Sequence, residues 1–357
     1  MKRLLSLLLT ALLLVPFASP FVQAEETTEA DANADTAVHT LVALGDSIAA
    51  GYGMPGFDPH DLSKAKGCFA NLLAAHYQLT YGSGMYNFAH TGLTSSDILT
   101  SLRSTDKDTL KQAELIVISS GSNDILDIME EVVYKAYWAL AEELSAQGIT
   151  IDFSDLNAIE QNLLSLLTDP TKQDIVDRFL EECTNEQVRS RCQDAVLRCE
   201  SNLKEMISYL REIGSQAQIF VITPYNPTTA VMHNQLSETL QNLLDDMRQR
   251  YLTVSESAEY GYAVELVDLL TDFEGKYLEM TNITSWDIHP SAAGHELIAD
   301  TIIRRMDLLS EQKHTDQQKQ QHQTAPVADI WVYVIFALAV AAVIAILLHS
   351  MIRRRNK

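Results

Sequence analysis

The sequence predicts an α/β fold in which parallel strands form one doubly wound sheet. Short apolar runs alternate with stretches of helical periodicity, the order expected of successive β-α-β units. The runs AELIVISS and AQIFVITP are almost uninterrupted in their apolar residues, as expected of strands that helices cover on both faces. We therefore expect a central sheet between two layers of helices.

Five apolar runs are expected to be the strands. The first ends in Gly-Asp-Ser, which suits a strand-to-helix turn and would present Ser47 at the carboxyl edge of the sheet, where open parallel sheets bind ligands. A serine there also suits a helix cap, so this motif alone leaves both roles open. The runs are His39 to Leu44, Met85 to Ala89, Ala113 to Ser119, Ala217 to Thr223 and Tyr262 to Leu269.

The segment between the third and fourth strands, residues 125–216, is longer than a crossover helix requires. Its apolar residues recur with helical spacing. We expect it to form a helical cap insertion beside the strand ends, where it would shape the choice of substrate.

The N-terminal residues resemble a targeting segment. Residues 1–24 carry Lys2 and Arg3, an apolar run and then small residues, the pattern of a signal peptide. Residues 25–38 are acidic and lack a core-forming pattern, which predicts a disordered leader.

The C-terminal residues predict a membrane anchor. Residues 329–352 predict a transmembrane helix, because the uncharged apolar stretch from Ile330 to Met351 is long enough, at 1.5 Å per residue, to cross a hydrocarbon core of about 30 Å. Residues 353–357 are basic and are expected to be a cytoplasmic tail, so that the preceding chain is extracellular. Residues 310–328 are rich in Gln and predict a flexible stalk. The cell membrane is therefore an expected partner. The residues before the stalk, 39–309, are expected to form one folded domain.

The composition narrows the function classes. A net charge of -22 disfavours nucleic acid as a partner. No C-x-x-C pair is present, which disfavours a zinc site, and no metal or cofactor is expected.

His295 follows a glycine on the last amphipathic segment and is expected to be a packing or surface residue.

Disulfides are permitted in an exported chain that carries four cysteines. If residues 185–213 form one helix, Cys192 and Cys199 lie about 10.5 Å apart along it, too far to bridge. Cys183 can then reach Cys192, which leaves Cys68 for Cys199. The spacing permits other connectivities and reduced thiols as well.

Three further segments fall at predicted strand ends. NFAHTGLTSSDIL contains Gly92, SSGSNDIL contains Asn123, and SWDIHPSAAGHELIAD contains His289. With Ser47 they supply what acyl transfer requires: a nucleophile, a base and donors for the oxyanion. The donors would be the backbone N–H groups of Ser47 and Gly92 and the side-chain amide of Asn123.

These four segments, in this order, resemble the GDSL family of esterases and lipases, also called SGNH hydrolases. The resemblance spans residues 39–309 and implies a flavodoxin-like three-layer α/β/α sandwich with a five-stranded sheet of order 2-1-3-4-5. It implies Ser47 as nucleophile, His289 as base, and Ser47, Gly92 and Asn123 as oxyanion donors. It also implies an ester substrate, which can be a small molecule, a lipid or an O-acylated glycan.

One position departs from the family pattern, which has an aspartate three residues before the histidine. Here Trp286 stands there, and the acid, Asp287, is two residues before His289. Either the Asp287 carboxylate or the Trp286 backbone carbonyl can hold the imidazole, but only the carboxylate strongly stabilises the imidazolium. The expected activity is therefore that of a membrane-anchored serine esterase, with a catalytically degraded surface binding protein as the alternative.

Overall fold

The computed structural model describes residues 38–146, 173–230, 235–257, 264–285 and 287–323. The predicted signal peptide, membrane span and cytoplasmic tail lie outside these residues, as does all but the last residue of the predicted leader. Within the described ranges, no helix combines the length and apolar character needed to cross a membrane.

Six parallel strands form the sheet, in the order β2-β3-β1-β4-β5-β6. The five predicted strands are β1, β3, β4, β5 and β6, and their order is the expected one. The prediction of five strands was wrong by one, because β2 is a two-residue edge strand, too short to give a hydrophobic pattern. The strands are β1 (Leu41–Gly45), β2 (Thr80–Tyr81), β3 (Gly84–Asn87), β4 (Leu115–Ser119), β5 (Gln218–Ile222) and β6 (Val264–Val267).

Helices connect the strands. They are α1 (Ser47–Ala50), α2 (Phe69–His76), α3 (Ser95–Ser104), α4 (Lys107–Gln112), α5 (Ser122–Ala146), α6 (Gln173–Thr184), α7 (Glu186–Glu212), α8 (Gln235–Ser255), α9 (Leu269–Asp272), α10 (Tyr277–Met280) and α11 (Ala292–Gln323). In the described part of the chain, short 3-10 turns cover Leu62–Lys64, Pro227–Ala230 and Ile283–Ser285.

Each face of the sheet packs against its own hydrophobic core. In β1, Val42 and Leu44 face the core formed with α3, α5, α7 and α8, whereas Leu41 and Ala43 face the core formed with α2 and α11. Successive residues of a strand point to opposite faces, so a strand covered on both sides is apolar at most of its positions. This accounts for the uninterrupted runs.

The predicted cap insertion is in part a layer of the sandwich itself. Helix α7 packs against α3 and α8, and Leu203, Ile207 and Leu210 are fully buried in the same core as the strands. It is therefore the crossover helix from β4 to β5. Helices α5 and α6 pack on each other and are the part of the insertion beyond the crossover helix. Residues 147–172 of the insertion lie outside the described chain.

The flexible stalk predicted from residue 310 is helical as far as the structure describes it. Helix α11 continues past the expected domain boundary at residue 309 to Gln323. The segment is rich in Gln and also carries Lys313 and Lys319, and both residue types are good helix formers even where no core is buried.

The predicted disulfides are absent from the described chain, in which all four cysteines are free and buried. Cys68 lies in the core on one face of the sheet and Cys199 in the core on the other, so the sheet separates this pair. Cys183 and Cys192 share a core, but the Cys192 sulfur lies against Met129 Sδ at 4.0 Å. Burial raises the pKa of Cys68 and of Cys183 to about 12.

These thiols should be unreactive in the folded protein, because the thiolate is the nucleophile and burial disfavours it. We expect protein purified without reductant to show almost no reaction with Ellman's reagent in buffer and to titrate all four thiols once denatured. A parallel sample reduced before denaturation is the control. Fewer thiols in the unreduced sample would indicate a disulfide and contradict this packing.

Candidate active site

Ser47 is fixed by the turn between β1 and α1. The Asp46 carboxylate is fully buried, and its Oδ1 accepts hydrogen bonds from Ile48 N at 3.0 Å and Ser119 Oγ at 2.7 Å. Burial raises the pKa of Asp46, although both hydrogen bonds act in the opposite direction. Asp46 thus caps α1 and ties the end of β1 to the end of β4, which holds Ser47 as the first residue of the helix.

Gly45 allows these strand ends to approach. Its φ is +142°, and a Cβ at this position would lie 2.4 Å from the Ser119 carbonyl oxygen. A side chain would therefore push β4 away and break the contact between Ser119 and Asp46.

A chain of hydrogen bonds joins Ser47, His289 and Asp287. Ser47 Oγ lies 2.8 Å from His289 Nε2, and His289 Nδ1 lies 2.5 Å from Asp287 Oδ1. The same carboxylate oxygen accepts the backbone N–H of His289 at 3.0 Å. This local turn explains how an aspartate two residues before the histidine reaches the ring, as Asx turns do. Trp286, the alternative orienting residue, lies outside the described residues.

Two further residues frame Asp287. Gly53 has a φ of +80°, and a Cβ there would lie 2.7 Å from Asp287 Oδ2, so the second carboxylate oxygen occupies the space that a side chain would fill. The backbone of Asn282 accepts from Asp287 N at 3.3 Å and donates to the carbonyl of His289 at 2.9 Å. These two hydrogen bonds to the Asn282 backbone hold the loop at the acid, Asp287, and at the base, His289.

Two tyrosines contact the His289 segment. The Tyr52 ring packs on the His289 ring with a centroid distance of 4.6 Å. The Tyr225 hydroxyl donates to the Ile288 carbonyl at 2.7 Å. No sequence pattern indicates either residue, because neither belongs to a motif and only the folded chain brings them to His289.

Two of the three proposed oxyanion donors, Gly92 and Asn123, lie on segments that hydrogen bonds tie together. Gly92, with a φ of +79°, is exposed in the turn after β3. Asn123, near the start of α5, donates through Nδ2 to the Leu93 carbonyl at 2.9 Å, which leaves the second amide hydrogen available. The Asp124 carboxylate accepts from both the N–H and the hydroxyl of Ser95, each at 2.7 Å. No sequence pattern predicts this contact, because Ser95 and Asp124 belong to different segments of the chain.

An apolar cavity of about 170 Å³ opens beside Ser47; we call it the inner cavity. Ser47, Asn123 and His289 border it. Its walls come mainly from α5, α8 and the loop after β5, and they include Ile125, Leu126, Pro224, Leu240, Leu244 and Ile288. A neutral, apolar group attached to a carbonyl fits such a cavity, because burying it removes apolar surface from water. Throughout the described ranges, no cluster of three or more His, Cys, Asp or Glu side chains is suited to a metal ion.

His295 is a packing residue. It is fully buried, its Nδ1 accepts the backbone N–H of Phe69 at 3.3 Å, and its ring stacks on that of Phe69. Burial lowers the pKa of His295 to about 3.

Comparison with protein families identifies the chain. The model of the GDSL-like lipase/acylhydrolase family matches residues 43–297. This match covers well over half of the sequence. The chain belongs to the GDSL-like lipase/acylhydrolase family.

Several solved structures resemble this GDSL-family protein. The lipase Lip_vut3 from a goat rumen metagenome has a TM-score of 0.47 and 19% identity, over 75% of this chain and 97% of that one. Phospholipase A1 from Streptomyces albidoflavus NA297 has a TM-score of 0.45 and 17% identity, over 73% and 95%. An extracellular lipase from Streptomyces rimosus has a TM-score of 0.44 and 17% identity, over 72% and 94%. No curated protein matches this chain.

The contact between Asp287 and His289 can be tested by a neutral isostere. We expect Asp287→Asn to lower ester turnover by about 10⁴-fold, because an amide stabilises neither the required tautomer nor the imidazolium. Asp300→Asn, on the exposed face of α11, is the matched control. If Asp287→Asn kept most of the turnover, the Trp286 carbonyl would be the better orienting group.

The burial of His295 predicts a pH dependence of stability. The folded state keeps this ring neutral down to about pH 3, whereas the unfolded chain takes up a proton near the ordinary pKa of 6.5. The neutral ring's contribution to the free energy of unfolding is complete above pH 6.5 and is lost as pH falls towards 3. The loss between pH 6.5 and pH 5 is about 2 kcal/mol. In thermal melts, His295→Gln should reduce the fall in stability across that interval; an unchanged fall would contradict a neutral buried ring.

Proposed function

We propose that the chain is a serine ester hydrolase that works through an acyl-enzyme on Ser47. The observation that carries this proposal is the unbroken sequence of hydrogen bonds from Asp287 through His289 to Ser47 Oγ, beside an apolar cavity. A nucleophile, a base within hydrogen-bond reach and a group that orients the base are the requirements for activating a serine hydroxyl.

The reaction follows from this geometry. His289 Nε2 takes the proton of Ser47 Oγ while Oγ bonds to the ester carbonyl carbon, whose oxygen gains the negative charge. The tetrahedral intermediate then expels the alcohol, which receives the proton from His289, and an acyl group remains on Ser47. Water repeats the sequence with His289 as base, releasing the carboxylic acid and restoring the hydroxyl.

Asp287 and the donors on the turns would act on the charges that form. The carboxylate faces the positive charge that develops on His289, and the N–H groups of Ser47 and Gly92 with the Asn123 amide face the oxyanion. Each such donor typically contributes on the order of 10²- to 10³-fold in turnover. The hydrogen bonds from Asn123 to Leu93 and from Ser95 to Asp124 fix the position of the Asn123 amide relative to the Gly92 turn.

The cellular setting is part of the proposal. The signal-peptide pattern of residues 1–24 and the apolar stretch of residues 329–352 support an exported enzyme tethered to the cell membrane with its folded domain outside. This is tested by expressing the full-length chain and a chain that lacks residues 329–357 and fractionating the cells. The full-length chain should be found in the membrane fraction and the truncated chain outside it.

The alternative function is that of a surface binding protein without turnover. It was suggested by the position of Asp287, which is two residues before His289 instead of the three typical of the family. That support is weak, because Asp287 contacts His289 from its position two residues upstream. A binding role also gives no reason for a proton acceptor against the hydroxyl of Ser47.

The deciding experiment uses a fluorophosphonate probe, which modifies only activated serines. We expect the folded protein to be labelled at Ser47, as located by mass spectrometry, and to hydrolyse p-nitrophenyl acetate. Ser47→Ala and His289→Ala should lose both properties, while Ser122→Ala, which removes another hydroxyl bordering the inner cavity, should be labelled normally. A folded wild-type protein that is neither labelled nor active would favour the binding protein.

A further inference from the structure

A side chain of the crossover helix α7 reaches the turn that follows β3. Asn202 Nδ2 donates to Ser95 Oγ at 2.8 Å and to Ser96 Oγ at 3.0 Å. Asn202 stands 107 residues after Ser95 in the chain, so only the fold brings the two together. The site described above does not include Asn202.

The contact with Asn202 sets the direction of the Ser95 hydroxyl. A hydroxyl has one hydrogen to donate and two lone pairs that accept. The hydrogen of Ser95 Oγ goes to Asp124 Oδ1 at 2.7 Å, and the Asn202 amide occupies the acceptor side of the same oxygen. Because Ser95 is fully buried, an acceptor that lost this partner would be left unpaired, which is costly.

Ser95 and Asp124 stand beside the two oxyanion donors that come from different segments. Ser95 lies three residues after Gly92, and Asp124 directly follows Asn123. The backbone N–H of Ser95 also donates to Asp124, at 2.7 Å. The distance between the two donors therefore depends in part on how Ser95 meets Asp124. Asn202 holds this contact from the side of α7.

Helix α7 gives the contact a fixed support. It packs against α3, which begins at Ser95, and against α5, which carries two residues of the site. Beside Asn202, Leu203 is buried in the core, and Glu205 forms an ion pair with Arg103 of α3. A polar side chain on this face of α7 can therefore hold the beginnings of α3 and α5 in one relation.

We propose that Asn202 is a positioning residue of the oxyanion hole. It acts through Ser95 and Asp124, and it keeps the N–H of the turn after β3 and the amide at the start of α5 where the oxyanion forms. This inference rests on the proposed ester hydrolase function and deepens it, because it names a residue on which the geometry of the donors depends.

The test begins with Asn202→Ala in the full-length chain, assayed with p-nitrophenyl acetate. We expect kcat and kcat/KM to fall together, each by about tenfold, because the oxyanion is stabilised only in the transition state. The loss should be smaller than the roughly 10²- to 10³-fold effect of removing a donor, since both donors remain. A fall in kcat/KM with kcat unchanged would contradict the proposal.

Asn202→Asp distinguishes positioning from packing. Aspartate has the shape of asparagine but no N–H to donate, so it draws the Ser95 hydroxyl hydrogen away from Asp124 and adds a like charge nearby. We expect Asn202→Asp to lower kcat more than Asn202→Ala does. If Asn202 only filled space, the aspartate would be the milder substitution, and that order would overturn the inference.

A matched control lies at the other end of α7. Asn185 caps this helix, is half-buried like Asn202, and also makes two side-chain hydrogen bonds, with Val188 N and the Glu182 carbonyl. Asn185→Ala should lower the melting temperature but leave kcat unchanged, because it lies about 25 Å from Asn202 along the helix. Equal losses of kcat in the two alanine variants would make general loosening of α7 the cause and contradict a positioning role.

Failure of the hydrolase proposal is recognised separately. If the wild type does not cleave p-nitrophenyl acetate, the proposed function has failed. The position of the turn is then read from the amide resonance of Gly92 in chains labelled with 15N-glycine, where Gly92→Ala identifies the signal. A resonance that moves in Asn202→Ala and not in Asn185→Ala supports the positioning, and one that moves equally in both or in neither overturns it.

Discussion

The arrangement of the site depends on the register in which β1 pairs with β3 on one side and β4 on the other. This register sets Gly45 opposite Ser119 at the carboxyl ends of β1 and β4. Because Gly45 has no side chain, the Ser119 hydroxyl reaches the Asp46 carboxylate, and that carboxylate caps the helix that Ser47 begins. A one-residue slip would reverse the faces of every strand side chain and remove this contact.

The remaining parts of the site are held by contacts of the same kind, each of which joins two loops. The Asp124 carboxylate binds Ser95, which connects the turn after β3 to the beginning of α5. The Tyr225 hydroxyl holds the Ile288 carbonyl and so connects the loop after β5 to the His289 segment. Loops that carry reactive groups are otherwise the least constrained parts of a fold. Here they are cross-linked by buried or half-buried hydrogen bonds, which keeps the three reacting side chains in one geometry.

Much of this arrangement could be predicted from local patterns. The apolar runs identified β1, β3, β4, β5 and β6, because strands that pack against helices are rich in apolar residues. The small edge strand β2 could not be found this way, nor could the helix beyond residue 309, since neither buries a continuous apolar face. Ser47 and His289 were recognisable because they follow strand ends in short motifs. Tyr52, Tyr225 and the partnership of Ser95 with Asp124 depend on contacts between distant segments, for which the sequence carries no local signal. The cysteine pairing failed for the same reason: spacing along a helix does not reveal which face of the sheet each sulfur occupies.

The central claim is that Ser47 bonds covalently to the acyl group, and the most direct measurement of it is pre-steady-state release of p-nitrophenol from p-nitrophenyl acetate. Rapid mixing followed by acid quench allows the same sample to be digested and its peptides weighed. The account predicts a burst of about one p-nitrophenol per active chain and one acetyl group on the peptide that contains Ser47, provided that deacylation is the slower step. Turnover in which the quenched protein carries its acetyl group on another residue would contradict it.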